Sequence, residues 1–204
     1  MGRRTFIVRN NQDIYGLILT GGKSRRMGHD KALLEYQGVS QLSETYELLG
    51  RHLSEVFVSV RKDQIQDPVR SQYQQIIDIY DNIGPLAGIL SAMKSFPSAK
   101  WLVVACDLVN LDSETLSYLI KNYSNKHCFT AYKSEYDGLP EPLCAIYSDK
   151  SITIIEENVS NNIKCPRKIL LNSSTLLLTQ PNPNALENFN APDDLIDTKY
   201  RVQV

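Results

Sequence analysis

No apolar run in this chain approaches the ~18–20 residues that a helix needs to span a bilayer. The start, Met1-Gly2-Arg3-Arg4-Thr5-Phe6-Ile7-Val8, also lacks an apolar stretch long enough for secretion. The cytoplasm is therefore the expected location, with no membrane as partner. Gly2 opens no myristoylation pattern, because Phe6 stands where Ser or Thr is required. Charge of one sign is missing too: 22 Lys and Arg against 23 Asp and Glu leave a formal net charge of −1. No overall field then draws the protein to nucleic acid. Cysteine is sparse. Cys106, Cys128, Cys144 and Cys165 form no C-x-x-C pair and have no histidine cluster nearby, which excludes the usual zinc patterns. Their apolar neighbours predict small, reduced, buried side chains. The three histidines, His29, His52 and His127, stand apart from one another, and no Ser-His-Asp or Cys-His constellation can be read. Internal repeats and low-complexity tracts are absent as well.

What is there suits one α/β domain. The chain has 204 residues, of which 42% are hydrophobic and 22% charged, typical of a globular protein with a substantial core. Residues 1–14 read as an appendage, either a short edge strand around Phe6-Ile7-Val8 or an arm, and residues 15–204 as a single domain. Continuous apolar runs at Leu17–Leu19, Val56–Val60, Ile76–Tyr80, Trp101–Ala105 and Phe129–Tyr132 predict strands covered on both faces. Between them, helical spacing appears at Leu42, Tyr46, Leu49 and Leu53, at Leu86, Ile89, Leu90 and Met93, and at Leu116, Leu119, Ile120 and Tyr123. Asp112 is placed to cap the third of these helices. This alternation predicts a mostly parallel sheet with helices on both sides. Beyond Tyr147 the pattern weakens: helices are expected from near Asp149 and over Arg167–Leu171, a strand over Thr175–Thr179, and a loop at Pro181-Asn182-Pro183-Asn184.

The stretch from Tyr15 to Lys31 is a short apolar strand running into a glycine-rich loop with four cations, Lys23, Arg25, Arg26 and Lys31. Glycines let backbone N–H groups approach an anion closely, and the cations can neutralise a triphosphate. It is not a Walker A loop, since Gly28 is followed by His29, and G-x-G-x-x-G cannot be laid over Gly21, Gly22 and Gly28. The bland alternative is a solvated basic turn. In a parallel sheet, ligands collect outside the carboxyl ends of the strands. The glycine loop, Asp81 and Asp107 each follow a predicted strand and are expected to share that edge, although Asp and Gly are also common turn residues. Asp107, just past a buried strand, is placed to hold Mg²⁺, which takes oxygen ligands and shares its shell with substrate phosphates. The alternative is an aspartate capping the next element.

Leu19-Thr20-Gly21-Gly22-Lys23-Ser24-Arg25-Arg26-Met27-Gly28-His29-Asp30-Lys31-Ala32-Leu33-Leu34 resembles the nucleotide-binding loop of the molybdenum cofactor guanylyltransferases, within the nucleotidyltransferases with a Rossmann-like domain. Two further blocks keep that family's order, Asp81-Asn82-Ile83-Gly84-Pro85-Leu86-Ala87-Gly88 and Trp101-Leu102-Val103-Val104-Ala105-Cys106-Asp107. Weaker similarity continues at Glu141-Pro142-Leu143 and at 188–195. The family usually reads L-A-G-G where Thr20 stands, C-D-x-P where Val109 stands, and in some members Asn where Ser59 stands; the Ser59 position could equally be an ordinary strand-end serine.

The resemblance implies a Rossmann-like three-layer sandwich with a mostly parallel sheet, of the nucleotide-diphospho-sugar transferase type. It implies that Leu19, Thr20, Gly21, Gly22, Lys31, Ser59, Asp81 and Asp107 line the nucleotide pocket, that Asp107 binds the metal, and that Lys31, Arg25 and Arg26 act on the triphosphate. The implied reaction joins GMP from GTP to molybdenum-bound molybdopterin and releases pyrophosphate, with Mg²⁺ as cofactor. Transient contact with proteins that deliver and receive the molybdenum cofactor is implied too. The segment after Tyr147 would supply the acceptor side. Cytidylyl relatives tend to read A-A-G in the first loop, so the double glycine favours the guanylyl branch. The other readings are cytidylylation of the same cofactor, a sugar-phosphate acceptor, and a nucleotide-binding regulator without catalysis.

Overall fold

The structure is a computed structural model that describes residues 14–20, 35, 36 and 39–187. In chain order the elements are β1 (Ile14–Leu19), β2 (Glu35–Tyr36), β3 (Val39–Ser40), α1 (Gln41–Gly50), β4 (Val56–Val60), β5 (Gln75–Ile77), α2 (Leu86–Ser95), β6 (Lys100–Ala105), α3 (Ser113–Lys121), β7 (Phe129–Lys133), β8 (Pro140–Tyr147), α4 (Ser151–Ser160), α5 (Pro166–Leu171) and β9 (Thr175–Leu178). β2 and β3 form a small antiparallel pair of their own. The other strands make one seven-stranded sheet in the order β5-β4-β1-β6-β8-β7-β9. From β5 to β6 the strands are parallel. β8 is antiparallel to both of its neighbours, and β9 is parallel to β7.

Alternate residues of β1 and β6 face opposite sides, which is why apolar residues run without a break along them. On one face Ile18, Val58 and Val104 pack with Leu42 and Leu49 of α1 and Leu116 and Leu119 of α3. On the other, Leu17, Leu19 and Val103 pack with Leu86 and Ile89 of α2, Ile155 of α4 and Ile169 of α5. The result is the expected three-layer, mostly parallel α/β sandwich. Helix starts follow local chemistry: Ser40 Oγ accepts from the Ser43 N–H at 3.2 Å, and Asp112 accepts from the Thr115 N–H at 2.7 Å.

Three local expectations are corrected. The strand expected over Ile76–Tyr80 ends at Ile77. β5 is an edge strand; Ile77 at its end and Ile79 beyond it are exposed, and the Ile79 N–H donates to Ser91 Oγ of α2 at 2.9 Å instead of joining a ladder. Next, β8 was hidden by Pro140 and Pro142, because proline lacks the N–H that a ladder uses. Pro140 opens the strand opposite Lys133, Pro142 falls in a break in register between Ala131 and Tyr132, and the strand ends up between β6 and β7. Cysteine burial holds only in part: Cys106 and Cys144 are buried, Cys128 is half-buried, and Cys165 is exposed just before Pro166 starts α5. Burial pushes the Cys144 thiol up to about 12 and keeps it protonated. After Tyr147 the two expected helices and the expected strand form, and β9 extends the sheet beside β7. Among the described residues no helix is long and apolar enough to cross a membrane. The expected edge strand at Phe6–Val8 and the 188–195 similarity lie outside the described residues.

Candidate active site

Register decides what meets at the carboxyl edge. Leu19 of β1 pairs with Ser59 of β4 on one side and with Ala105 of β6 on the other, and Ser59 pairs with Ile76 of β5. The strand ends are thus nearly level, and Thr20, Asp78 and Asp107 all emerge just beyond them. The Cys106 N–H donates to the Leu19 carbonyl at 3.2 Å and ties the exit of β6 to that of β1.

Around β1 and β4 the polar groups are linked. Thr20 Oγ1 donates to the Ser59 carbonyl at 2.7 Å, and Ser59 Oγ donates to Asp78 Oδ1 at 2.7 Å. The Asp78 N–H donates to the Val60 carbonyl at 2.8 Å, fixing the carboxylate over the end of β4. Burial pushes the Asp78 carboxyl above its ordinary value, opposed by the Ser59 hydrogen bond and the Arg61 charge. Gly88 of α2 lies against the same spot: a Cβ there would stand 2.9 Å from both Leu19 Cδ2 and Ser59 Cβ, and closer still to Ser59 Oγ. Beneath Thr20 lies Arg70, 1% exposed, whose Nε donates to Thr20 Oγ1 at 3.1 Å.

Leu19, Thr20 and Ser59 are therefore brought together, and Asp107 lies half-buried two residues past β6 on the same edge. Asp81 is placed differently. It is exposed, three residues beyond Asp78, at the start of a turn where Asn82 and Gly84 each adopt φ of 60°. For Gly84 such a backbone costs little. Asp78, not Asp81, is the carboxylate bonded to Ser59. Gly21, Gly22, Lys23, Arg25, Arg26, His29 and Lys31 lie outside the described residues. His52 and His127 are far from this edge in role: each meets a serine, Ser113 at 2.7 Å and Ser174 at 3.1 Å.

Sequence reasoning missed Asp78 and Arg70. Asp78 was concealed by the overlong strand; the signal was an acid directly after Ile76-Ile77. Arg70 sits in a one-turn 3-10 helix, Arg70–Gln72, in a polar stretch with no motif, and no sequence signal marks it.

A divalent ion is tested by its donors. Among the described residues no three His, Cys, Asp or Glu side chains cluster as a ready-made cage. Mg²⁺ does not need one, since it binds through one or two carboxylates, waters and substrate phosphates. Asp107 fits that donor set. Asp78 does not join it: three strand steps of about 4.8 Å separate β5 from β6, roughly 14 Å, against ligand distances of about 2.1 Å.

Residues 16–173 match the MobA-like NTP transferase domain. A Synechocystis protein named molybdenum cofactor biosynthesis bifunctional protein is 36% identical over 181 residues, covering 89% of this chain and 52% of that protein. The chain thus spans about half of that relative's length. A Pelotomaculum thermopropionicum protein named probable molybdenum cofactor guanylyltransferase is 29% identical over 196 residues, covering 92% of this chain and 93% of the relative. Among solved structures, molybdopterin-guanine dinucleotide biosynthesis protein A from Archaeoglobus fulgidus superposes with a TM-score of 0.71 at 23% identity, covering 89% of this chain and 94% of that one, and so shares the fold. The chain belongs to the MobA-like NTP transferase domain family.

Proposed function

We propose that this protein transfers GMP from GTP to the terminal phosphate of molybdenum-bound molybdopterin and releases pyrophosphate. The observation that carries the reading is the shared strand edge, with Thr20, Ser59 and Asp78 at one end and Asp107 at the other. A nucleotide laid along it has its base toward Ser59 and Asp78, its triphosphate over the glycine loop, and its α-phosphate toward Asp107. A carboxylate is an acceptor only. Guanine offers it donors at N1 and at the N2 amino group, whereas cytosine and adenine present an unprotonated ring nitrogen on the same edge.

In the reaction an acceptor phosphate oxygen forms a bond to the α-phosphorus of GTP, and the bond from that phosphorus to the bridging oxygen of pyrophosphate breaks. A phosphate monoester has a second pKa near about 6 and is largely dianionic at neutral pH, so no general base is required. The chain's task is to bring two anions together. Lys31, Arg25 and Arg26 offset the charge of the triphosphate and of the leaving pyrophosphate, and positioning plus electrostatics carry most of such chemistry. Bound at Asp107, Mg²⁺ would supply Lewis-acid stabilisation of phosphoryl oxygens. Asp107 holds that ion, while Leu19 and Thr20 set where the glycine loop begins. The partners are GTP and the molybdenum cofactor, with transient contact to proteins that deliver and receive it.

Pyrophosphate release, measured with GTP, CTP and ATP in the presence of Mg²⁺ and molybdenum-loaded pterin, tests the reading. Release with GTP alone supports it. Equal release with CTP moves the protein to cytidylyl chemistry, and binding without release makes it a regulator.

A further inference from the structure

Asp107 stands in a short connection, residues 106–112, built from two successive turns: the Leu108 N–H donates to the Ala105 carbonyl at 3.3 Å, and the Leu111 N–H to the Leu108 carbonyl at 3.2 Å. Both bonds lie at the long end of the usual range. Leu108, Val109 and Leu111 are buried, but burial is non-directional, so the path of the connection depends on the hydrogen bonds at its two ends. The upstream end is tied to β1 where the Cys106 N–H meets the Leu19 carbonyl. The downstream end is Asp112, whose carboxylate oxygens go to different elements: Oδ1 accepts the Thr115 N–H and caps α3, whereas Oδ2 accepts from Asn182 Nδ2 at 2.7 Å, 70 positions along the chain.

Asn182 is prepared for that bond. Pro181 and Pro183 on either side narrow its backbone choices, and Gln180 Nε2 donates to the Lys133 carbonyl at 3.1 Å, which ties the segment to the end of β7. Ala185 and Leu186 hold its other end in the core. Asn182 Oδ1 accepts the Asn184 N–H at 3.1 Å, so turning the amide over would lose that bond together with the one to Asp112. A fixed amide donor to a carboxylate is a charge-assisted bond, stronger than a neutral one.

We infer that Asn182 is a positioning residue for Asp107: by holding Asp112 it fixes, from the β7–β9 side of the sheet, the connection in which Asp107 stands. The inference rests on the proposed function in that the task of Asp107 is to hold a divalent ion.

The test exchanges donor and acceptor. Asn182→Asp sets two carboxylates against each other and Asp112→Asn sets two amide donors against each other, while the double variant restores one donor and one acceptor at unchanged net charge. Asparagine caps a helix as well as aspartate does, so α3 keeps its start in all three variants. One readout is hydrogen–deuterium exchange of the Leu108 and Leu111 N–H groups in protein free of metal and nucleotide, resolved by NMR. The other is the free Mg²⁺ concentration that gives half-maximal pyrophosphate release at saturating GTP. Each single variant should speed the exchange about threefold or more and raise the Mg²⁺ requirement about tenfold, as expected for contacting residues and for a bond to a charged group. The double variant should return both close to wild type. A bond that serves stability alone would lower the melting temperature of the single variants and leave the Mg²⁺ requirement unchanged; that result, or losses that add in the double variant, would overturn the inference. If Asn182→Asp does not fold, Asn182→Ala takes its place, and unchanged exchange at Leu108 and Leu111 overturns it. If the wild-type protein releases no pyrophosphate but the single variants speed exchange and the double variant restores it, the proposed function fails and the positioning role stands.

Discussion

No side chain fits between Gly88 and Ser59. A Cβ at Gly88 would lie 2.9 Å from the Cβ of Ser59 and from Leu19 Cδ2, and nearer still to the Ser59 hydroxyl. The second glycine of Gly84-Pro85-Leu86-Ala87-Gly88 is therefore required by helix-to-sheet packing, at the spot where Ser59 reaches Asp78. Gly88→Ala should cost stability of about 1–3 kcal/mol, as overpacking does. It should also raise KM for GTP, because Ser59 must turn away from Asp78. Chemical denaturation and steady-state kinetics on the same variant check both effects.

Asp78→Asn should erode base selectivity. If Asp78 meets guanine, the amide places a donor where the base also has donors, and kcat/KM for GTP falls by about tenfold or more while CTP and ATP change little. A contact with the ribose instead would weaken all three nucleotides alike. Burial raises the Asp78 pKa, so the group favours folding below its ordinary value of 3.8 and loses that contribution as pH rises through its value in the fold. At pH 7 the uncharged amide should therefore melt no lower than wild type. As pH falls through the raised pKa, KM for GTP should rise in wild type and stay flat in Asp78→Asn.

Asp112 carries a pH dependence of opposite sign. Partial burial pushes its carboxyl up, but hydrogen bonds from Asn182, Thr115 and Glu114 together outweigh this and hold it below 3.8. Its stabilisation is complete above the ordinary value and lost as pH falls through the lower one. Asp112→Ala should be less stable by about 1 kcal/mol at pH 7, the usual loss of a helix cap. The gap to wild type should close below pH 3.8 in urea titrations.

Asp107→Asn should fold and lose metal-dependent turnover. An amide is a poor ligand for a hard cation that binds through only one or two carboxylates. The apparent Mg²⁺ requirement should rise sharply or activity should vanish, with the thermal midpoint near wild type. A variant with normal rate at ordinary Mg²⁺ would remove Asp107 from the metal site.

The parallel half of the sheet was legible because β1, β4 and β6 are buried on both faces and read as unbroken apolar runs. Asp107 was legible for the same reason, since the end of β6 is sharp. β5 was not: Ile79 continues the apolar pattern although its N–H bonds to Ser91 of α2, so that Asp78, which directly follows the strand, reads as part of it. β8 was lost to two prolines, one at the first residue of the strand and one inside a break in register. Arg70 could not be read at all, because its partner Thr20 is fifty positions away in sequence and only the fold sets one under the other.

The reversed strand β8 also shapes how the chain must be made. β6 is flanked by β1, already synthesised when Ala105 appears, and by β8, whose pairing with Trp101 waits for Tyr147. Throughout that interval the four parallel strands can assemble but leave a bare row of N–H and C=O groups along β6, the kind of edge that pairs with other chains. A chain halted between those points would carry Thr20, Ser59, Asp78 and Asp107 beside an uncovered strand edge, which β8 covers only when the chain reaches Tyr147.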